Sequence, residues 1–167
     1  MRYKLLVLDI DGTVTNSKKQ VTEKTRNAIL DLQKRGIPVA IASGRAPQGI
    51  YSVAKTLELD KFGSYIMPFN GARIVNFKTG ECIYSKTLPL HLPARLWKDA
   101  VENGIGIVTY DEKEVIAGMK PDKYMLLEAK IAGMPIAYHE DFNTYVDFPV
   151  NKCLMTGEPE DLEALEP

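Results

Sequence analysis

Three short apolar runs, separated by helical patterns and each followed by polar residues, constrain the fold of this chain more than any other feature. The runs occupy residues 3–8, 38–42 and 65–69, and the helical patterns between them start near Thr22 and Pro47, the second continuing to about Glu58. Apolar runs of this length are typical of strands buried in a parallel sheet. The β-α-β-α-β order therefore predicts an α/β fold with a doubly wound parallel sheet and right-handed crossovers.

The polar residues that follow these strands are expected to lie together. In open parallel sheets, ligands bind outside the carboxyl ends of the strands. Asp9 and Asp11 follow the first run, residues 43–45 follow the second, and Asn70 follows the third. The sequence therefore predicts one functional site at this edge of the sheet.

The segment from Asp9 to Thr13 has the residues that phosphoryl transfer needs. Residues two apart in an extended chain point the same way, so Asp9 and Asp11 would face one cleft. One carboxylate can form an aspartyl phosphate, and the other can protonate the leaving oxygen. Their mutual repulsion is expected to raise the pKa of one of them. Gly12 would bring its backbone amide close to an anion, although an ordinary Asp-Gly turn is the competing interpretation.

The second and third strand ends add candidate phosphate ligands. Ser43, Gly44 and Arg45 precede the helix that Pro47 opens, an arrangement that can bind an anion. Arg45 could add charge-assisted hydrogen bonds to phosphate or orient the substrate. A simple N-cap role for Ser43 would use the same geometry. Asn70, which precedes a glycine, is equally consistent with a plain turn and with a substrate contact.

Composition narrows the possible functions. The formal net charge of -1 lacks the basic excess of most nucleic-acid-binding proteins. No apolar run approaches the ~18 residues of a membrane span, so we expect a cytoplasmic protein. The two cysteines lack CxxC spacing, and the two histidines lie far apart, so no zinc site is indicated. A metal at the acidic site would be one that prefers oxygen ligands, such as Mg²⁺.

The second half of the chain has a different pattern. Turn residues at 78–80 and 111–113 lie between strand-like segments and predict two hairpins, and helical patterns cover residues 90–103 and 121–133. We therefore expect a first unit over residues 1–80 and an α+β unit over residues 81–167 that packs over it. Six aromatic residues of this unit fit a core better than a sugar-binding surface: Trp97, Tyr110, Tyr124, Tyr138, Tyr145 and Phe148.

Two motifs resemble those of the haloacid dehalogenase superfamily. LLVLDIDGTVT resembles its first motif and IASGR its second, while NGA at residues 70–72, with the α+β unit that follows, resembles the Cof-type subfamily of sugar-phosphate and related phosphatases. The resemblance implies a Rossmann-like core and a magnesium-dependent phosphatase. It implies that Asp9 is the nucleophile and Asp11 the general acid/base. Mg²⁺ would be held by the Asp9 carboxylate and the main-chain carbonyl of Asp11.

The resemblance also assigns the phosphate site and the second unit. Ser43 and backbone amides near Gly12, Thr13 and Gly44 would bind the transferring phosphoryl group. The second unit would be a mobile cap that selects a small phosphorylated metabolite.

Two later motifs of the family have no clear counterpart in this chain. No GDxxND stretch follows Ser43, and Lys152 is only a weak candidate for the family's lysine. The first strand, central in the family, would be an apolar edge here. We therefore expect this chain to be the N-terminal portion of a longer phosphatase. The alternatives are a non-catalytic fragment that binds phosphate and magnesium, and a phosphomutase; a receiver domain ranks lower because its acceptor aspartate would occupy the position of Asn70.

Overall fold

The computed structural model describes residues 3–165 and has two compact units. The first ends at Lys86 and the second begins at Thr87. The division thus lies beyond the expected boundary at residue 80, because the strand after that residue pairs with the sheet of the first unit.

The first unit contains a five-stranded mixed sheet in the order β1-β2-β3-β4-β5. Strands β1 to β3 are parallel, as the βαβαβ pattern predicted, and β4 and β5 form the predicted hairpin. The elements are β1 Leu6–Asp9, α1 Glu23–Lys34, β2 Val39–Ala42, α2 Gln48–Thr56, α3 Leu59–Phe62, β3 Tyr65–Met67, β4 Arg73–Asn76 and β5 Cys82–Ser85.

Local sequence signals explain where these helices begin and end. The Thr22 side chain caps α1 by accepting a hydrogen bond from the backbone N–H of Thr25 at 3.2 Å. Gly36, with φ of 78°, lies just beyond its end. The second helical pattern, predicted to continue to Glu58, is interrupted because Glu58 adopts φ of 54°, and α3 follows it.

The core of the first unit lies on one face of the sheet. Helices α1 and α2 cover this face because successive right-handed crossovers run in the same direction across β1, β2 and β3. Ile29 of α1 and Ile50 of α2 pack in one cluster with Ile41 of β2. On the opposite face of the edge strand β1, Val7 is 48% exposed.

The second unit contains a four-stranded sheet in the order β8-β7-β6-β9. The predicted hairpin forms β6 and β7, whereas β8 and α6 were not predicted. Its elements are α4 Leu92–Glu102, β6 Gly106–Tyr110, β7 Val115–Ala117, α5 Lys123–Ala132, β8 Ile136–Tyr138, α6 Phe142–Tyr145, β9 Leu154–Thr156 and α7 Pro159–Glu163.

The aromatic residues of the second unit are divided between core and surface. Tyr110 is buried, and Trp97 and Phe148 pack against the core cluster of this unit. Tyr138 and Tyr145 are exposed instead. Among residues 3–165, no helix has the length and apolar character needed to span a membrane.

Candidate functional site

The predicted acidic motif forms a tight turn at the end of β1. Asp9 is the last residue of that strand, and the backbone N–H of Thr15 donates a hydrogen bond to the Ile10 carbonyl oxygen at 2.9 Å. Ile10 is buried in the core, whereas Asp9 and Asp11 are exposed. The alternation that was predicted from the sequence therefore places the two carboxylates on the side away from the core.

Gly12 and Thr13 complete this turn. Gly12 adopts φ of 78°, a conformation that favours glycine. The N–H of Thr13 makes only a long hydrogen bond, 3.4 Å, to the carbonyl of Ile10. Thr15 then forms isolated bridges with both Asp11 and Val21. The turn does not join two adjacent strands, as an ordinary Asp-Gly hairpin turn would.

The Asp11 carboxylate is held by two cations. Arg45 donates to both of its oxygens from Nη2, at 2.9 Å to Oδ1 and 2.8 Å to Oδ2. Lys19 Nζ lies 2.7 Å from Oδ1. Arg45 also donates from Nη1 to the carbonyl of Gly49 in α2, at 3.2 Å, so its guanidinium is tied to the helix. The ends of β1 and β2 are therefore connected through charged side chains.

These contacts lower the pKa of Asp11 instead of raising it. The hydrogen bond from Lys19 is the largest cause; partial burial opposes it, and Arg45 adds to the lowering. The expectation that repulsion between neighbouring carboxylates would raise the pKa is thus wrong for Asp11. The local reason is that opposite charges lie within hydrogen-bond distance of this carboxylate.

The third strand end packs against the second. The Asn70 N–H donates to the Ser43 carbonyl at 3.0 Å, and the Phe69 N–H donates to the Arg45 carbonyl at 3.0 Å. A Cβ atom at Gly44 would lie 2.8 Å from Asn70 Oδ1. Phe69 and Asn70 both have positive φ, 55° and 56°, which is uncommon for non-glycine residues. The predicted convergence of three strand ends is therefore present.

Ser43 is not the N-cap of the following helix. Pro47 occupies that position, and no side chain caps α2. Ser43 is buried, and its Oγ accepts a hydrogen bond from the Arg45 N–H at 3.3 Å. The simple N-cap interpretation is therefore wrong, and the hydroxyl lies inside the loop that precedes the helix.

Two lysines make contacts that were not predicted from the sequence. Lys19 was not among the predicted site residues, because its contact with Asp11 depends on the loop conformation between them. Lys152, the weak candidate for the family's lysine, lies in the second unit, where its Nζ is 3.9 Å from Glu128 Oε1 and 5.6 Å from the Tyr110 ring centroid. Burial lowers the pKa of Lys152.

The acidic turn offers oxygen ligands, which is the ligand type that Mg²⁺ prefers. Magnesium is usually held by one or two carboxylates together with water and substrate phosphate. Asp9 forms no ion pair within residues 3–165, whereas the Asp11 carboxylate is bound by Arg45 and Lys19. No cluster of three or more His, Cys, Asp or Glu side chains suited to a metal occurs in that range. Within this turn, the groups that could hold Mg²⁺ are therefore the Asp9 carboxylate and main-chain oxygens.

Comparisons with known proteins agree with this fold and motif set. A curated Streptococcus pyogenes protein, provisionally named a phosphatase, is 29% identical over 98% of this chain. Phosphatase YwpJ of Bacillus subtilis is 32% identical over 51% of this chain and 28% of its own length. The crystal structure of a haloacid dehalogenase-like hydrolase from Bacteroides thetaiotaomicron is 38% identical over 99% of this chain, with a TM-score of 0.89.

The chain spans 61% of the Streptococcus protein and 62% of the Bacteroides chain. A sequence model of haloacid dehalogenase-like hydrolases matches residues 6–167, almost the whole of this chain. The resemblance seen in the DIDGTVT and IASGR motifs is thereby confirmed. The chain belongs to the haloacid dehalogenase-like hydrolase family.

Proposed function

We propose that the protein hydrolyses small phosphate monoesters, such as sugar phosphates, through an aspartyl-phosphate intermediate. The observation that carries this proposal is that the two neighbouring carboxylates differ in their partners. Asp11 is held by Arg45 and Lys19, whereas no described residue forms an ion pair with Asp9. A nucleophile needs an oxygen that can reach phosphorus, and a general acid/base needs a defined orientation.

In the first step, a carboxylate oxygen of Asp9 bonds to phosphorus while the ester P–O bond breaks. The protonated Asp11 carboxyl gives its proton to the departing alkoxide. In the second step, the Asp11 carboxylate takes a proton from water, and that water attacks phosphorus. The bond between phosphorus and Asp9 breaks, and inorganic phosphate leaves. The lowered pKa of Asp11 favours the ionised form that the second step requires and disfavours the protonated form that the first step requires.

The phosphoryl oxygens would be bound by the Ser43 hydroxyl and by backbone amides of Gly12, Thr13 and Gly44. The long Thr13 hydrogen bond supports this role, because its N–H loses little by turning to a stronger acceptor. Asn70 lies against Gly44 and would border the same site. A bound Mg²⁺, held by the Asp9 carboxylate and the Asp11 main-chain carbonyl, would offset the negative charge of nucleophile and phosphate.

A second candidate function is that of a phosphate- and magnesium-binding module without turnover. The observation in its favour is the lack of a third acidic metal ligand in residues 3–165. Turnover would then require the family's lysine and acidic motifs to be supplied from outside this chain. A phosphomutase on the same scaffold would share the first step and pass the phosphoryl group to a sugar instead of water.

One experiment separates these functions. Phosphate release from a panel of small phosphate esters is measured with and without Mg²⁺, with Asp9→Asn as the control. We expect magnesium-dependent release that the substitution abolishes. Binding of phosphate and Mg²⁺ without release would favour the non-catalytic module. Transfer of the phosphoryl group to an added sugar would favour the mutase.

A further inference from the structure

The turn after the acidic motif directs one lysine back to it. Two backbone hydrogen bonds close this turn. The Asn16 N–H donates to the Gln20 carbonyl at 3.0 Å, and the Lys19 N–H donates to the Asn16 carbonyl at 2.9 Å. The Asn16 side-chain oxygen accepts from the N–H groups of Lys18 and Gln20, at 2.9 and 3.1 Å. The chain at Lys19 is thereby held in one conformation.

That conformation is uncommon for its residue type. Lys19 has φ of 59°, in the left-handed region where non-glycine residues are rare. Its side chain is 69% exposed, so packing against a core does not explain the conformation. The contact that the conformation does produce is the one between Lys19 Nζ and Asp11 Oδ1, at 2.7 Å.

Lys19 and Arg45 approach Asp11 from different parts of the chain. Arg45 comes from the loop before α2 and is tied to the Gly49 carbonyl. Lys19 comes from the turn that directly follows the acidic motif, and its Nζ binds Asp11 Oδ1, which Arg45 also contacts. A carboxylate held by cations from two separate elements has less freedom to rotate than one held by Arg45 alone.

We propose that Lys19 is a positioning residue that, together with Arg45, orients the Asp11 carboxylate for proton transfer in the reaction. This inference rests on the proposed phosphatase function. Lys19 acts through Asp11 rather than on the substrate, so its loss should lower the rate of the chemical steps more than it weakens substrate binding.

The chain offers a matched control in the same turn. Lys18 is also exposed, but it is the backbone N–H of Lys18 that donates to the Asn16 side chain, and a side-chain substitution preserves this hydrogen bond. Lys18→Met is the same substitution one residue away: it removes the same ammonium charge and leaves an unbranched side chain of similar length. Any general effect of charge or of turn stability should therefore occur in both variants.

The kinetic test compares Lys19→Met, Lys19→Arg and Lys18→Met on an alkyl phosphate. An exposed ion pair contributes up to ~1 kcal/mol, so we expect kcat to fall about fivefold in Lys19→Met. The KM should stay near the wild-type value, Lys19→Arg should recover most of kcat, and Lys18→Met should match the wild type. Equal rates in Lys19→Met and Lys18→Met, or a change confined to KM, would overturn the proposal.

A second readout does not depend on turnover. The side-chain ammonium signal of Lys19 is recorded by nitrogen-15 NMR of the 167-residue chain. We expect this signal to change more in Asp11→Asn than in Asp9→Asn, because the ion pair is made with Asp11. An unchanged signal in Asp11→Asn would overturn the proposal. A wild-type protein without turnover but with the expected spectrum would contradict the proposed function and still support the contact.

Discussion

Replacing Gly106 with alanine should destabilise the second unit, and the size of the loss should depend on the side chain of Thr156. A Cβ atom at Gly106 would lie 2.2 Å from Thr156 Oγ1 and 3.2 Å from both the Thr156 carbonyl oxygen and Met125 Cε. The two residues are paired across β6 and β9, and Thr156 has a stiff β-branched side chain. The clash therefore cannot be relieved by moving a flexible side-chain end.

Overpacking of this kind costs ~1–3 kcal/mol. Thr156 Oγ1 is buried and has no hydrogen-bond partner within residues 3–165, so its removal breaks no hydrogen bond in that range. Thr156→Ala should then relieve most of the clash. The free energies of unfolding of Gly106→Ala and Thr156→Ala should be non-additive by about 1 kcal/mol or more in the double variant.

Urea unfolding followed by tryptophan fluorescence measures this cycle. Trp97 is the single tryptophan of the chain, and its Nε1 donates to the Gly118 carbonyl at 2.8 Å within the second unit. Its signal therefore reports on the unit that contains Gly106. A wild-type unfolding midpoint for Gly106→Ala, or strict additivity of the two substitutions, would refute the steric explanation.

Two further predictions concern the acidic site. Gly44→Ala should lower activity with little loss of stability, because the clash at 2.8 Å is with the end of the Asn70 side chain, which can rotate away. Activity and urea unfolding of one preparation test this prediction. A loss of stability above about 2 kcal/mol would contradict it. The ion pairs of Asp11 with Lys19 and Arg45 should stabilise the first unit above pH ~3.9, the pKa of an unfolded Asp. Because the folded pKa is lowered, this contribution should disappear as the pH falls through the folded pKa. The stability difference between wild type and Asp11→Asn, measured from pH 7 to pH 3, should stay constant at first and shrink below about pH 4; a difference that shrinks between pH 7 and pH 5 would contradict the assignment.

The sequence predicted the larger elements because their signals are local. Apolar runs marked the strands of the first unit, and the cap at Thr22 marked the start of α1. The three-residue strand β8 and the four-residue helix α6 are too short for a periodic pattern to be visible. The break at Glu58 was missed because a left-handed glutamate has no sequence signature.

The position of the candidate site could be predicted from the sequence, but the contacts of its side chains could not. The order of strands along the chain indicated that Asp9, Ser43 and Asn70 would lie at one edge. The partners of Asp11 were not predictable, because they depend on how the loops fold back. The expected rise in pKa is consequently not found at Asp11: the sequence showed the neighbouring carboxylates, whereas the structure adds Lys19 and Arg45, which lower the pKa of Asp11.

The proposed mechanism depends on Asp9 as the nucleophile of a magnesium-dependent phosphatase. Its most direct test is to trap the protein during turnover of a phosphate ester and to locate the covalent phosphoryl group by peptide mass spectrometry. A phosphoryl group is expected on Asp9 in the presence of Mg²⁺, and neither label nor phosphate release is expected in Asp9→Asn. Magnesium-dependent release that persists in Asp9→Asn, or a label on another residue, would contradict it.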